Sequence, residues 1–116
     1  MKTNSFGLYL LNLRNRYNEN MNEMAMRLDI SKSYLYYLSS GERTVSSKII
    51  EKIIKSYNLN NDEVKELNKS IAYSRDVVKL DLSGLDLETR KIIIELIHRI
   101  PTMSEEKILQ LKKIIM

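Results

Sequence analysis

Apolar residues in this chain recur mostly three and four positions apart, the spacing of one face of an α-helix. The segment "SFGLYLLNLRNRYN" carries Phe6, Leu10, Leu13 and Tyr17 on such a face, with Ser5 placed to cap it. In "NMNEMAMRLDI" Asn20 can cap and Glu23 follows three residues later, a capping-box pattern that predicts a helix over 20–28. "SKSYLYYLSSG" predicts a helix over 31–40, opened by Ser31 and stopped at Gly41. Ile49, Ile50, Ile53, Ile54 and Tyr57 share one face of "SSKIIEKIIKSYNL", and Val64, Leu67 and Ile71 one side of "NNDEVKELNKSIAYSRD". Strand-like alternation occurs only in "VVKLDLSG", a short run without a partner that reads as an extended linker. "DLETRKIIIELIHRI" and "SEEKILQLKKIIM" predict two closing helices, separated by Pro101, Thr102 and Met103. The expected fold class is all-α, without an internal repeat.

The helices over 20–28 and 31–40 are joined through "DIS" alone. Ala25 supplies the small side chain that a close helix crossing needs, and Leu28, Ile30, Leu35 and Leu38 are spaced to lock the pair. That is helix-turn-helix geometry, with a third helix following after a loop. Over residues 5–57 the order helix, "MAMRLDISKSYLYYLSSGER", helix resembles the XRE/Cro family of phage-repressor-type DNA-binding domains. The match rests on Ala25, Leu28, Ile30, Ser31, Leu35, Leu38 and Gly41. Asp29 stands where a turn glycine is common in that family, and aspartate tolerates a left-handed backbone better than most residues. The resemblance implies a five-helix, lambda-repressor-like helix-turn-helix domain over residues 1–76. A linker at 77–85 and a C-terminal two-helix hairpin at 86–116 would follow it.

Within "SKSYLYYLSSGER", Leu35 and Leu38 set the buried direction of a helix that turns about 100° per residue. Tyr34 falls beside that direction, Ser33, Tyr36, Tyr37 and Ser40 point away from it, and Lys32 lies at the flank. A DNA major groove accepts such a face, because hydroxyls can bond base edges and rings can lie on thymine methyls. Lys32, Ser33, Tyr36 and Tyr37 are therefore the candidate base-edge contacts. The resemblance places phosphate contacts after this helix, at Arg43, Thr44 and Lys48, with Ser40 at the helix end. Asn20 and Asn22 can add phosphate contacts from the preceding helix.

Charge agrees with that reading. The formal net charge is +4. Residues 1–60, Lys2 included, hold nine Lys and Arg against five acids, whereas residues 61–116 hold ten of each. All the excess positive charge lies in the half with the tyrosine-rich helix, which suggests a polyanionic partner. Paired tyrosines also suit a protein-binding patch, since tyrosine anchors many interfaces.

Other chemistry finds little to use. At 116 residues the chain is long enough for one compact domain and a helical extension. It has no cysteine, so neither a disulfide framework nor a thiolate metal site can form. His98, the one histidine, lies on the polar side of its helix. The three glycines are scattered and make no phosphate-cradling loop. Glu105 and Glu106 open a helix and complement its dipole. Met21, Met24 and Met26 read as core or gap filler. No catalytic residue, cofactor or metal site is expected, and the chain is not expected to be an enzyme. "FGLYLLNL" is too short for a signal peptide and is interrupted by Asn12 and Arg14. No window reaches the roughly 18 apolar residues of a membrane span. The expectation is a soluble, cytoplasmic protein with no membrane partner.

The closing helices are unusually apolar. Ile92, Ile93, Ile94, Leu96, Ile97 and Ile100 cover more than half the circumference of one, and Ile108, Leu109, Leu111, Ile114, Ile115 and Met116 do the same on the other. A hairpin covers one face of each, so the remainder needs a further partner. One candidate is the N-terminal domain itself; the other is a second copy of the hairpin, which fits a regulator that must reach two half-sites, with Ile93, Ile97, Ile100, Ile108, Leu111 and Ile115 as the dimerisation residues. The function expected is a sequence-specific, dimeric transcriptional repressor of phage or mobile-element type, bound to an inverted-repeat operator in double-stranded DNA. The competing class is a helical protein-interaction module. It would be an antitoxin or a phage-encoded inhibitor of a host defence enzyme that also regulates its own gene, and the tyrosine face or the hairpin would be its docking element.

Overall fold

The computed structural model describes residues 4–116. Residues 1–3, and with them Lys2 of the basic half, lie outside the described part. Among the described residues the fold is all-helical, with seven α-helices, one 3-10 turn and no strand. In order these are α1 (Ser5–Arg16), α2 (Met21–Arg27), α3 (Lys32–Ser40), α4 (Ser47–Ser56), α5 (Asn61–Tyr73), α6 (Leu87–Arg99), the 3-10 turn Ile100–Thr102, and α7 (Glu105–Ile115). The "VVKLDLSG" run forms no strand.

Every α-helix starts in the same way. Asn4, Asn20, Ser31, Ser46, Asn60, Asp86 and Ser104 each accept a bond from the backbone N–H three residues on. Such a cap is worth about 1 kcal/mol, because it satisfies a donor that the helix leaves unpaired. In α2 and α5 the box closes from both sides: Glu23 and Glu63 accept from the backbone N–H of Asn20 and Asn60. The first cap corrects the sequence expectation. Asn4, not Ser5, holds it, since Asn4 Oδ1 reaches Gly7 N at 2.6 Å and Ser5 is already helical. The turns also follow from composition. Asn18, Asp29 and Asn58 take left-handed φ values of 54°, 55° and 47°, which short polar side chains tolerate. Gly41 ends α3 at φ 84°.

The chain divides into two compact units, with the boundary between Val78 and Lys79. The first unit contains the whole buried core: Phe6, Leu10 and Leu13 of α1, Met24 and Ala25 of α2, Leu28, then Leu35 and Leu38 of α3. Val45, Ile49, Ile53, Tyr57, Leu67 and Ile71 complete it from the following loop, α4 and α5. α3 packs on both α1 and α2, and α1 on α5. At the α1–α3 crossing Gly7 lies on the backbone of Ser39, where a β-carbon would come within 3.1 Å of the Ser39 carbonyl carbon. Met21 packs at the edge of the core and Met24 inside it, but Met26 is 79% exposed. The expectation of Met26 as core filler is thus wrong, because at about 100° per residue it falls on the far side of the helix from Met24 and turns away from the face that Met24 and Ala25 bury.

Polar groups tie the unit together at its edge. Tyr57 donates its hydroxyl to Glu19 Oε2 at 2.6 Å, and Arg27 Nε donates to Glu19 Oε1 at 2.6 Å. Tyr17 meets Tyr57 edge-on at 5.2 Å, and the Arg27 guanidinium stands 4.7 Å from the centre of the Tyr57 ring. Tyr17 is half exposed rather than core, its hydroxyl donating to the Tyr57 carbonyl. Burial, followed by the bond to Glu19, pushes the Tyr57 hydroxyl far above its ordinary pKa. A separate ion pair, Arg16 to Glu63 at 2.9 Å, links α1 to the start of α5.

The second unit comprises α6, the 3-10 turn and α7, and none of its residues is buried. Pro101 sits in the 3-10 turn that the sequence marks as a separator. Ile93, Leu96, Met103 and Leu111 are partly covered, whereas Ile97, Ile100, Ile108 and Ile115 stay exposed. No helix among the described residues is long and apolar enough to cross a membrane.

Candidate nucleic-acid interface

The α2–α3 pair is positioned from its apolar side. Ala25 and Leu28 on one helix, and Leu35 and Leu38 on the other, are each at most 3% exposed. Fixing Leu35 and Leu38 inward leaves one direction for the rest of α3. Lys32, Ser33, Tyr36 and Tyr37 are all exposed, Tyr34 is half-buried against the core, and Ser39 is half-buried with its hydroxyl donating to the Leu35 carbonyl. The four candidate base-edge residues therefore share one solvent face. Tyr36 and Tyr37 meet edge to face at 5.7 Å and 74°, so each ring restrains the other.

At the end of α3 the Leu38 carbonyl accepts from the backbone N–H of Gly41 at 3.4 Å, and the Tyr37 carbonyl takes two further bonds. Tyr37 O accepts from the backbone N–H of Arg43 at 3.1 Å and from Ser40 Oγ at 3.3 Å. The first bond, with left-handed Gly41, folds the chain back so that Arg43 and Thr44 follow directly beside the helix end. The second uses the only proton of the Ser40 hydroxyl. Ser40 can reach a phosphate as a donor only after rotating away from Tyr37. It is the one candidate phosphate contact on α3, and the only one of the six that is half-buried.

The other five are exposed. Arg43 and Thr44 lie in the α3–α4 loop and Lys48 in the first turn of α4, where the positive end of the helix dipole also favours an anion. Asn20 and Asn22 lie at the start of α2. Asn20 commits its Oδ1 to Glu23 N at 2.8 Å, which leaves its amide nitrogen as the group to offer a phosphate. Lys32, Arg43 and Lys48 are opposed on this stretch by Glu42 alone.

Of the six candidate dimerisation residues, Ile93 and Leu111 turn inward within the second unit, and Ile97, Ile100, Ile108 and Ile115 remain available. Leu87, Ile92, Ile94, Leu109, Ile114 and Met116 are exposed as well. Leu87, Lys91, Ile94 and Met103 help line an open groove of about 850 Å³ on this unit. His98 is exposed, and no cluster of acidic and histidine side chains able to hold a metal ion occurs among the described residues.

Sequence reasoning missed three features: the Gly7–Ser39 contact, the Glu19 bonds to Tyr57 and Arg27, and the Arg75 guanidinium beside Val45. Only Gly7 carried a local signal, a glycine inside a helix pattern, which usually has a packing reason. Comparison with known proteins gave no match: no family model, no curated protein and no solved structure matches this chain.

Proposed function

We propose that this chain is a sequence-specific DNA-binding regulator of the helix-turn-helix, phage-repressor type. α2 and α3 form its motif, and the α3 face reads the major groove. The observation that carries the reading is a helix buried on one side by Leu35 and Leu38 and presenting Lys32, Ser33, Tyr36 and Tyr37 on the other. Serine and tyrosine hydroxyls can meet donors or acceptors on base edges, and tyrosine rings can cover thymine methyls. Arg43, Thr44 and Lys48 follow the helix end, and Asn20 and Asn22 precede it in α2; they serve as the phosphate contacts that fix register. A single such domain neutralises few phosphates, so the regulator works as a dimer through residues 86–116 and recognises an inverted repeat. Its action is repression, by occupation of that operator.

The test is selection from a random duplex pool with the intact chain. An enriched inverted repeat with half-site centres about 34–36 Å apart supports the reading. Retention of DNA without any enriched sequence sinks it.

A second reading rests on the second unit, which exposes Ile92, Ile97, Leu109, Ile114 and Ile115 and buries nothing. In that reading the unit docks another protein, as an antitoxin or an enzyme inhibitor does, and DNA binding serves only autoregulation.

A further inference from the structure

Behind the α3 face the first unit contains a cleft of about 490 Å³, between the start of α1, the α3–α4 loop and the end of α5. Its floor is apolar: Phe6, Leu38, Val45 and Ile71 line it, and each is at most 6% exposed. Its rim is cationic. Arg43 comes from the loop and Arg75 from just beyond α5, and both line the cleft. The Arg75 Nη2 donates to the Val45 carbonyl at 3.3 Å, which steadies the guanidinium at the rim. Among the described residues Arg43 has no side-chain partner, and neither arginine is in an ion pair. Asp76 also lines the cleft, so one carboxylate stands against two guanidinium groups. Asn4 Nδ2 has no hydrogen-bond partner, but it is enclosed against Gly41 and out of a ligand's reach. Thr44 and Ser74 also line the cleft, the Ser74 hydroxyl already bonded to Phe6 N and the Ser70 carbonyl, and the arginines supply its positive charge.

A pocket of this size takes a small organic molecule rather than a bare ion, and guanidinium groups favour planar or tetrahedral oxyanions. We infer that the cleft binds a small organic anion, held at its charge by Arg43 and Arg75 and at its apolar body by Phe6, Leu38, Val45 and Ile71, and that its occupation weakens DNA binding. The second half rests on the reading of Arg43 as a phosphate contact. A guanidinium drawn into the cleft cannot also lie on the DNA backbone, and the bond from Arg43 N to Tyr37 O carries any loop movement to the end of α3.

The experiment is amide NMR of the intact, nitrogen-labelled chain titrated with phenyl phosphate and, in parallel, benzoate, benzyl alcohol and inorganic phosphate. Saturable shifts confined to residues 4–7, 37–45 and 71–77 are expected with the two aromatic anions. The neutral alcohol and bare phosphate should bind markedly less. Arg75→Gln should weaken the anions by about tenfold, the scale of one charge-assisted bond, with Arg75→Lys losing less. Asp76→Asn should tighten them. Far-UV dichroism of each variant separates lost binding from lost folding. Shifts spread over all basic residues, equal binding of the alcohol, or a folded Arg75→Gln chain with parental affinity would overturn the site. In a second arm phenyl phosphate should weaken binding to the selected operator, and an unchanged operator affinity at saturation would overturn the competition. The titration needs no DNA, so a selection that yields no operator would sink the DNA reading, while an anion bound at the cleft of that same chain would leave the site standing.

Discussion

Gly7 lies directly on the backbone carbonyl of Ser39, so the first helix meets the third with no room for a side chain between them. Glycine inside a helix costs about 1 kcal/mol relative to alanine, so propensity alone would make Gly7→Ala stabilising. The clash here is with backbone, which cannot rotate aside. We expect Gly7→Ala to lower stability by about 1–3 kcal/mol, the usual cost of overpacking, read as a fall in the urea midpoint. Gly84 has open space around its missing β-carbon. Gly84→Ala should stay within about 0.5 kcal/mol of the parent. A Gly7→Ala chain as stable as the parent would show that the crossing is looser than described.

The tyrosine bonded to Glu19 gives the protein an alkaline limit. The Tyr57 hydroxyl is held above its ordinary pKa of 10.0, so the folded chain keeps this proton after the unfolded chain has lost it. The resulting stability is complete below pH 10 and declines as pH rises beyond it. Tyr57→Phe should flatten that decline in a denaturation series across the alkaline range. At neutral pH the same change should cost about 1–3 kcal/mol, because the enclosed Glu19 carboxylate loses a donor. Parallel alkaline curves for parent and variant would remove Tyr57 as the cause.

Base reading and backbone grip separate experimentally. Tyr36→Ala or Tyr37→Ala should cost about 1–3 kcal/mol at the selected operator and much less on random duplex. Equal losses on both would mean that the rings read no bases.

Arg43→Gln and Lys48→Gln should weaken specific and random DNA alike. Each should reduce the slope of log K against log salt by about one unit. An unchanged slope in both would place these charges away from the DNA.

Dimerisation should depend on the exposed part of the second unit. Ile97→Asp puts a charge on that surface, and sedimentation is expected to show a dimer for the parent and a monomer for the variant. Removal of residues 79–116 leaves every buried core residue in place and should give a folded monomer. Two linked domains gain roughly 10²–10⁴ in affinity over one, so both changes should reduce operator binding on that scale. A monomeric parent at tens of micromolar would favour the protein-docking reading.

What could be read from the sequence follows from how local each feature is. The α2–α3 pair, its caps at Asn20 and Ser31 and its stop at Gly41 depend on residues within a few positions, and all can be read directly. The first cap differs by one residue because Asn4 and Ser5 are both good caps, and only the reach to Gly7 N decides between them. Ser40 follows the same logic: periodicity turns it outward, and no spacing in the sequence fixes the hydroxyl rotamer that bonds Tyr37 O. Tyr57 reads as one more apolar position, since its partner Glu19 lies 38 residues away. In α6 the wide apolar arc marks a surface, but not that Ile93 turns inward and Ile97 outward.

The boundary between Val78 and Lys79 has an optical consequence. All seven tyrosines and the single phenylalanine precede it, and the chain has no tryptophan. Near-ultraviolet absorbance and dichroism therefore come from the first unit alone, and α6 and α7 are silent there while contributing fully to the far-ultraviolet helix signal. Melting curves recorded in the two ranges on one unlabelled sample will coincide if the units unfold together. They will separate if the second unit melts by itself.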